Sequence, residues 1–174
     1  MGWELINEPK IEPGKFKPWL RETARYLKSL DPNHAVGVAI GGSETEWWRS
    51  GSVNWRELDT PELDFIDLHY YADASNYNPV SPANVSNLKD RIRSAMALGK
   101  AVIIGEFGCL NTVELETMRN LYRTILDTSF SEGAAGCLFY AWGPPGKNGW
   151  GGRGGYDLYT TDGELCRLLK SFQY

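Results

Sequence analysis

Residues 101–108 read AVIIGEFG, in which an apolar run over 101–104 is followed by polar and glycine-containing positions. Four other segments, 3–6, 35–40, 65–68 and 135–141, are also short and rich in Val, Ile, Leu or aromatic residues. Gly, Pro or polar residues bound each of them. Such runs are typical of strands that are buried on both faces in a parallel sheet. The sequence therefore predicts five buried strands.

Segments with helical periodicity separate these runs. Apolar residues recur every three or four positions in 15–30, 82–98, 115–130 and 163–172, whereas 49–62 is less regular and predicts only a short helix. Alternating strands and helices imply an α/β fold with a parallel sheet. The strand ends lie 29 to 36 residues apart. A (β/α)₈ barrel has roughly 31 residues per unit, but a doubly wound sheet has similar steps, so spacing does not choose between them.

Polar and aromatic side chains follow the apolar part of several predicted strands. Glu8 follows the first run, His69 and Tyr71 follow the third, Glu106 the fourth and Trp142 the fifth. In a barrel, the carboxyl ends of the strands meet at one face, and catalytic residues come from several of them. A doubly wound sheet would more often carry one Gly-rich phosphate turn. The pattern therefore favours a barrel-type active site.

Composition excludes several functional classes. The 174 residues are enough for one domain, 1–174, and the net charge of −4 argues against a nucleic-acid surface. No stretch approaches the roughly 18 apolar residues of a membrane span. Aromatic residues reach 13%, and flat rings can stack on the apolar faces of sugars or bases. Among the aromatic residues of the loops, Trp47 and Trp48 are the first candidates to bind substrate.

The segment 149–154, GWGGRG, matches the G-x-G-x-x-G pattern of dinucleotide-binding turns. Such a turn links a strand tightly to a helix, but this segment follows Pro144-Pro145 several residues after the last strand, and no helix opens at its end. A long active-site loop is the favoured interpretation, and a nucleotide-dependent α/β oxidoreductase is kept as a rival.

Four motifs resemble clan A glycoside hydrolases of the family 5 type. The segment 3–9, WELINEP, resembles the fourth-strand motif that carries the acid/base, and 102–108, VIIGEFG, resembles the seventh-strand motif that carries the nucleophile. The segment 64–71, DFIDLHYY, resembles the sixth strand with its His-x-Tyr, and 135–142, AGCLFYAW, resembles the eighth strand ending in Trp. The resemblance covers essentially the whole chain, and its four motifs stand in the family's order and spacing.

The resemblance implies a retaining two-glutamate mechanism. Glu8 would be the general acid that protonates the glycosidic oxygen and then the base that activates water. Glu106 would attack the anomeric carbon and form the glycosyl-enzyme. Asn7 would hydrogen-bond the 2-hydroxyl of the sugar. The two carboxyl groups are then expected about 5–5.5 Å apart.

The resemblance also assigns the residues around this pair. Tyr71 would donate a hydrogen bond to Glu106 and orient it, and His69 would form a polar wall. Trp142 would be the platform beneath the reacting sugar. No cofactor and no metal are implied.

The expected protein is an endo-enzyme that hydrolyses a β-1,4-linked polysaccharide of the mannan or glucan type. If Glu8 ends the fourth strand, the counterparts of strands one to three are absent from these residues, and five units cannot close an eight-stranded barrel. A missing amino-terminal segment or a second copy would then complete it. The alternative is an inactive carbohydrate-binding fragment. The resemblance suggests an extracellular enzyme, although the sequence shows no signal peptide, so the compartment stays open.

Overall fold

The computed structural model describes residues 2–9, 14–41, 55–71, 82–109, 113–143, 158–159 and 163–172. Strands and helices alternate along the chain. The strands are β1 (Gly2–Asn7), β2 (Ala35–Ile40), β3 (Phe65–Tyr71), β4 (Ala101–Gly108), β5 (Gly136–Phe139), β6 (Trp142–Gly143) and β7 (Leu158–Tyr159), and the helices are α1 (Phe16–Leu30), α2 (Trp55–Leu58), α3 (Pro82–Met96), α4 (Leu115–Ser131) and α5 (Gly163–Ser171). The predicted strands and helices are confirmed, most of them to within three residues at each end. The short ladder of β6 and β7 was not predicted.

Strand order decides between the two architectures that spacing left open. The first five strands form one sheet in the order β1-β2-β3-β4-β5, and each neighbouring pair is parallel. A doubly wound sheet reverses its strand order at a switch point, whereas consecutive parallel neighbours are the pattern of a barrel. Right-handed crossovers then place the helices on one face. The fold is a partial (β/α) barrel of five strands.

The hydrophobic core lies between the sheet and these helices. The buried face of α1 consists of Phe16, Leu20 and Ala24, which recur every fourth residue as the periodicity predicts. Helices α3, α4 and α5 bury similar stripes, which include Leu88, Ile92, Leu121, Ile125, Leu165 and Leu168. In the same core lie alternate residues of β2 and β3, namely Val36, Val38, Ile66 and Leu68. The opposite face of the sheet is the inner face of the barrel.

The amino terminus of α1 is capped from another helix. The carboxylate of Glu57, in α2, accepts hydrogen bonds from the backbone N–H groups of Gly14 at 2.6 Å and Lys17 at 2.9 Å. The first N–H groups of a helix have no partner within the helix, so this carboxylate satisfies them. The short α2 therefore fixes the start of the first long helix.

The prediction that all five strands are buried on both faces is wrong for two of them. Strands β2 and β3 are buried along almost their whole length, but β1 and β5 lie at the two edges of the sheet. Trp3 in β1 is 49% exposed and Leu138 in β5 is 61% exposed.

None of the helices in the described part of the chain has the length and apolar character needed to cross a membrane.

Candidate functional site

Glu8 stands directly after β1 with an unusual backbone conformation. Its φ is 44°, in the left-handed region that non-glycine residues rarely adopt. The Glu8 N–H still donates to the Ala39 carbonyl at 3.1 Å, which holds this turn against β2. A conformation of this kind costs about 1–3 kcal/mol and is often found at functional sites. The turn brings the carboxylate over the end of β2, where Gly41 has no side chain to obstruct it.

His69 lies between the two glutamates. Its side chain is 2% exposed, and its Nδ1 lies 2.8 Å from Oε1 of Glu8 and 3.4 Å from Oε2 of Glu106. Helix α3 fixes the backbone here, because Nη1 of Arg91 donates to the His69 carbonyl at 2.9 Å. His69, which was predicted to line the site with a polar side chain, therefore contacts the carboxylates of both Glu8 and Glu106.

Tyr71 donates its hydroxyl to Oε2 of Glu106 at 2.7 Å, the contact that was predicted for this pair. Burial and the negative charge of Glu106 raise the pKa of Tyr71, so the hydroxyl keeps its proton and remains a donor. Glu106 does not follow its strand, as the sequence suggested, but lies within β4, which continues to Gly108. An irregularity of the β3–β4 register just before Glu106 turns this residue towards His69 and Tyr71.

The two carboxylates are close enough to act on one bond. Glu8, His69 and Glu106 each place one nitrogen or oxygen atom within 4.8 Å of the others. The side chain of Glu8 is 35% exposed and that of Glu106 is 24% exposed, so a ligand can reach both. The same three atoms could ligate a cation, and the absence of a metal requirement stays a prediction.

Some predicted contacts lie beyond what the structure describes. Asn7 is exposed at the end of β1, directly before Glu8. Trp47, Trp48 and the Gly-rich segment 149–154 lie outside the described residues, and Trp142 is described by its backbone alone. Their assigned roles stay predictions.

The structure adds Tyr140, which the sequence reasoning missed. Its ring lies 6.4 Å from that of Tyr71 at an interplanar angle of 85°, and its side chain is 38% exposed. Its N–H donates to the Phe107 carbonyl at 2.8 Å, next to Glu106. The sequence motif assigned a role only to Trp142, and no local pattern distinguishes Tyr140, which lies just after β5 ends at Phe139.

Comparison with known proteins adds independent information about the family and the fold of this chain. The sequence model of the family described as GH family 5 beta-mannosidase-like matches residues 1–143. Mannan endo-1,4-beta-mannosidase 7 of Oryza sativa subsp. japonica is 26% identical over 177 residues, which cover 84% of this chain and 46% of that protein. The chain thus spans about half the length of this curated relative.

Two solved structures share the fold. The endo-beta-1,4-mannanase from Thermotoga petrophila has a TM-score of 0.73 and 26% identity, and the match covers 99% of this chain and 43% of that one. The hyperthermostable endo-1,4-beta-D-mannanase from Thermotoga petrophila RKU-1, solved with maltose and glycerol, has a TM-score of 0.75 and 25% identity over 99% of this chain and 56% of that one.

Proposed function

The chain belongs to the GH family 5 β-mannosidase-like family, and from this membership and the geometry of the site we propose that the protein hydrolyses β-1,4 linkages of a mannan with retention of configuration. The four motifs that resembled family 5 glycoside hydrolases were therefore recognised correctly. The curated relative and the two solved structures described above are a mannan endo-1,4-beta-mannosidase and two endo-mannanases, which favours mannan over glucan as the substrate class. Because the chain spans less than half of the rice relative, the activity is proposed for the protein at its natural length.

The distance between the carboxylates carries the proposal. One oxygen of Glu8 and one of Glu106 lie within 4.8 Å. Retaining glycosidases hold their carboxyl groups about 5–5.5 Å apart, whereas inverting enzymes leave about 6.5–9.5 Å for a water molecule. The observed spacing falls below the range of the inverting enzymes and supports direct attack by a carboxylate.

In the first step, an oxygen of ionised Glu106 would attack the anomeric carbon while protonated Glu8 gives its proton to the departing glycosidic oxygen. The bond to the leaving sugar breaks, and an ester to Glu106 forms. In the second step, Glu8 would remove a proton from water, which attacks the same carbon and releases Glu106.

The polar neighbours would prepare each carboxyl group for its part. The Tyr71 hydroxyl holds one oxygen of Glu106 and leaves the other for attack. At Glu8, Nδ1 of His69 lies 2.8 Å from Oε1, and an Nδ1–H would donate to this oxygen both when Glu8 is ionised and when its other oxygen carries the proton for the glycosidic oxygen. The pair would therefore keep Glu8 oriented as acid and as base.

Contacts to the sugar would come from the residues around this centre. Asn7, exposed beside Glu8, would hydrogen-bond the 2-hydroxyl. Tyr140 presents an exposed aromatic ring at right angles to Tyr71 and would pack against the sugar, together with Trp142 as the sequence predicted.

The test is substitution of each glutamate in the protein at its natural length. Glu8→Gln and Glu106→Gln are expected to lower kcat on mannan oligosaccharides by about 10³-fold or more, because each removes a group that reacts in the transition state. Glu22→Gln, at an exposed position of α1, is the matched control and should retain the parent kcat. Proton NMR of the first-formed product should show the β-anomer. An α-anomer, or normal activity in either variant, refutes the assignment.

The edges of the sheet bear on the alternative of an inactive binding fragment. Trp3 and Leu138 are exposed on β1 and β5, where further strands, from the same protein or from a second copy, would cover them. Light scattering of residues 1–174 alone, combined with an oligosaccharide titration and a hydrolysis assay, separates these states. Binding without turnover in the isolated chain, together with turnover at natural length, is the expected pattern.

A further inference from the structure

Asp67 is a buried carboxylate that the proposed reaction does not use. It lies near the middle of β3, is 4% exposed, and stands two residues before His69 on the same face of the strand. Burial raises the pKa of Asp67 well above its ordinary value, because desolvation penalises the charged form. A buried polar group of this kind is costly unless its neighbours hydrogen-bond it. Its contacts therefore indicate its role.

The contacts of Asp67 lead to β4 and to β1. Its Oδ1 accepts the backbone N–H of Gly105 at 2.6 Å. A Cβ atom on Gly105 would lie 1.8 Å from Oδ2 of Asp67, so the carboxylate fills the space that a side chain would need at that position. Interaction with the carboxyl group of Glu4, on β1, is a further cause that raises the pKa of Asp67.

The Gly105 amide belongs to an irregularity of β4 that comes directly before Glu106. Asp67 is paired with Ile103 and His69 with Glu106, so two steps along β3 match three steps along β4. One extra residue is therefore accommodated as a β-bulge. Bulges bend a strand and redirect the side chains beside them, and they leave one residue out of the ladder. Here the Gly105 N–H in the bulge is satisfied by a side chain of the neighbouring strand.

We propose that Asp67 is a positioning residue for Glu106: by accepting the Gly105 N–H, it holds the bulge in the form that presents the Glu106 carboxylate to Tyr71 and to the sugar. This inference rests on the proposed function, in which Glu106 is the nucleophile. It requires an acceptor oxygen at position 67 and no charge. A purely electrostatic effect of Asp67 on His69 would require the charge, so the two routes are separable.

Two variants that keep the branching of the Asp67 side chain at Cγ distinguish hydrogen bonding from an effect of charge, in the protein at its natural length. Asp67→Asn keeps an oxygen for Gly105, and its amide can donate to Glu4. Asp67→Leu has no acceptor. We expect Asp67→Asn to keep kcat within about 5-fold of the parent. Asp67→Leu should lose about 100-fold, the effect of displacing a reacting group by about 1 Å.

Binding separates positioning from general damage to the fold. The dissociation constant of mannotetraose, measured by calorimetry, should stay within about 3-fold in Asp67→Leu, because the displaced group acts on the reacting atoms. The rate at which a 2-deoxy-2-fluoromannosyl fluoride labels Glu106, followed by mass spectrometry, should fall with kcat. Equal losses in the Asn and Leu variants, or a parent-like kcat in Asp67→Leu, overturn the inference.

A measurement on the unaltered protein guards against a variant that does not fold. By NMR, the Gly105 amide should exchange its hydrogen slowly with solvent. An amide that exchanges as fast as a free peptide overturns the proposal whatever the activity. Failure of the proposed function has a different signature, namely full activity in Glu106→Gln, and the exchange of Gly105 is read independently of it.

Discussion

Gly41→Ala should impair Glu8, the proposed acid/base, without changing either of the two glutamates proposed to react. Gly41 follows β2 and faces the carboxylate of Glu8. A Cβ atom built on Gly41 would lie 2.4 Å from both Cδ and Oε1 of Glu8. Because the φ of Gly41 is not in the left-handed region, the backbone can accept alanine, and the three atoms nearest to the added Cβ all belong to the side chain of Glu8.

The size of the effect follows from this distance. Ordinary van der Waals contact begins at 3.4 Å, so the carboxylate has to move by about 1 Å. Misplacement of a catalytic group by about 1 Å can cost about 100-fold in rate, which corresponds to about 2.7 kcal/mol in the activation free energy. The folded state should be little affected, because the methyl group is added at the end of a strand beside a partly exposed side chain.

The assay should separate loss of acid catalysis from loss of binding. Aryl β-mannosides with a poor leaving group, such as phenol, need the proton from Glu8, whereas 2,4-dinitrophenolate departs almost without one. We expect about 100-fold loss of kcat/KM on the phenyl substrate and a much smaller loss on the dinitrophenyl substrate, in the protein at its natural length. Gly136→Ala is the matched control, since the nearest atom to a Cβ there is 3.8 Å away.

Two results would refute the reasoning. One is a Gly41→Ala enzyme whose kcat/KM on the phenyl substrate stays within about 3-fold of the parent, which would mean that Glu8 does not need its observed position. The other is an equal loss on both substrates, which would place the damage in binding or in Glu106 instead.

Three further predictions concern other parts of the structure. Tyr71→Phe removes the 2.7 Å hydrogen bond to Glu106, and a bond to a charged group is worth about 1.5–3 kcal/mol, so kcat should fall by about 10- to 150-fold. A hydrogen bond from the Thr60 hydroxyl, and to a smaller extent the charges of two arginine side chains, lower the pKa of Glu62 to about 2. Ionised Glu62 therefore stabilises the fold above its unfolded pKa of about 4.3, and this stabilisation is lost as the pH falls towards 2. The melting temperature of Glu62→Gln should depend less on pH in that window than the melting temperature of the parent. Leu20→Ala truncates a fully buried side chain of α1 and should lower the free energy of unfolding by about 2–5 kcal/mol in urea titrations.

Each of these has an outcome that contradicts it. A Tyr71→Phe enzyme with an unchanged kcat would mean that the hydrogen bond does not prepare Glu106. Parallel pH profiles of the melting temperature for parent and Glu62→Gln would remove that residue from the account of acid stability. The control for the helix is Leu30→Ala, at a 65% exposed position, where a change beyond about 0.5 kcal/mol would be unexpected.

Local patterns were sufficient for the secondary structure, and they led to the proposal of the two glutamates. Helix α4 was expected at 115–130 and is found at Leu115–Ser131. The prediction succeeds because apolar residues recur every three or four positions within the sequence of the helix itself. Strand β2 matches its apolar run at both ends. Glu8 and Glu106 were recognised because each adjoins an apolar run in a motif that resembles a family.

Local patterns did not disclose how the strands are arranged around the site. An apolar run looks the same whether its strand is central or at an edge, so the exposure of β1 and β5 was not foreseen. The ladder irregularity before Glu106 was missed because it depends on the register between two strands. Tyr140 was passed over for the same reason, since only its approach to Tyr71 identifies it as part of the site.

The sequence by itself determined an α/β chain of five strand–helix units with a carboxylate pair at the ends of its first and fourth strands. The tertiary structure alone decided that these strands lie in consecutive parallel order. It also decided that Glu8 and Glu106 meet across His69, that Gly41 faces the carboxylate of Glu8, and that Asp67 accepts the Gly105 N–H beside Glu106. The physical reason is that hydrophobic period is a property of neighbouring residues. The positions of reacting atoms, in contrast, depend on strand register and on contacts between residues that are far apart in the chain.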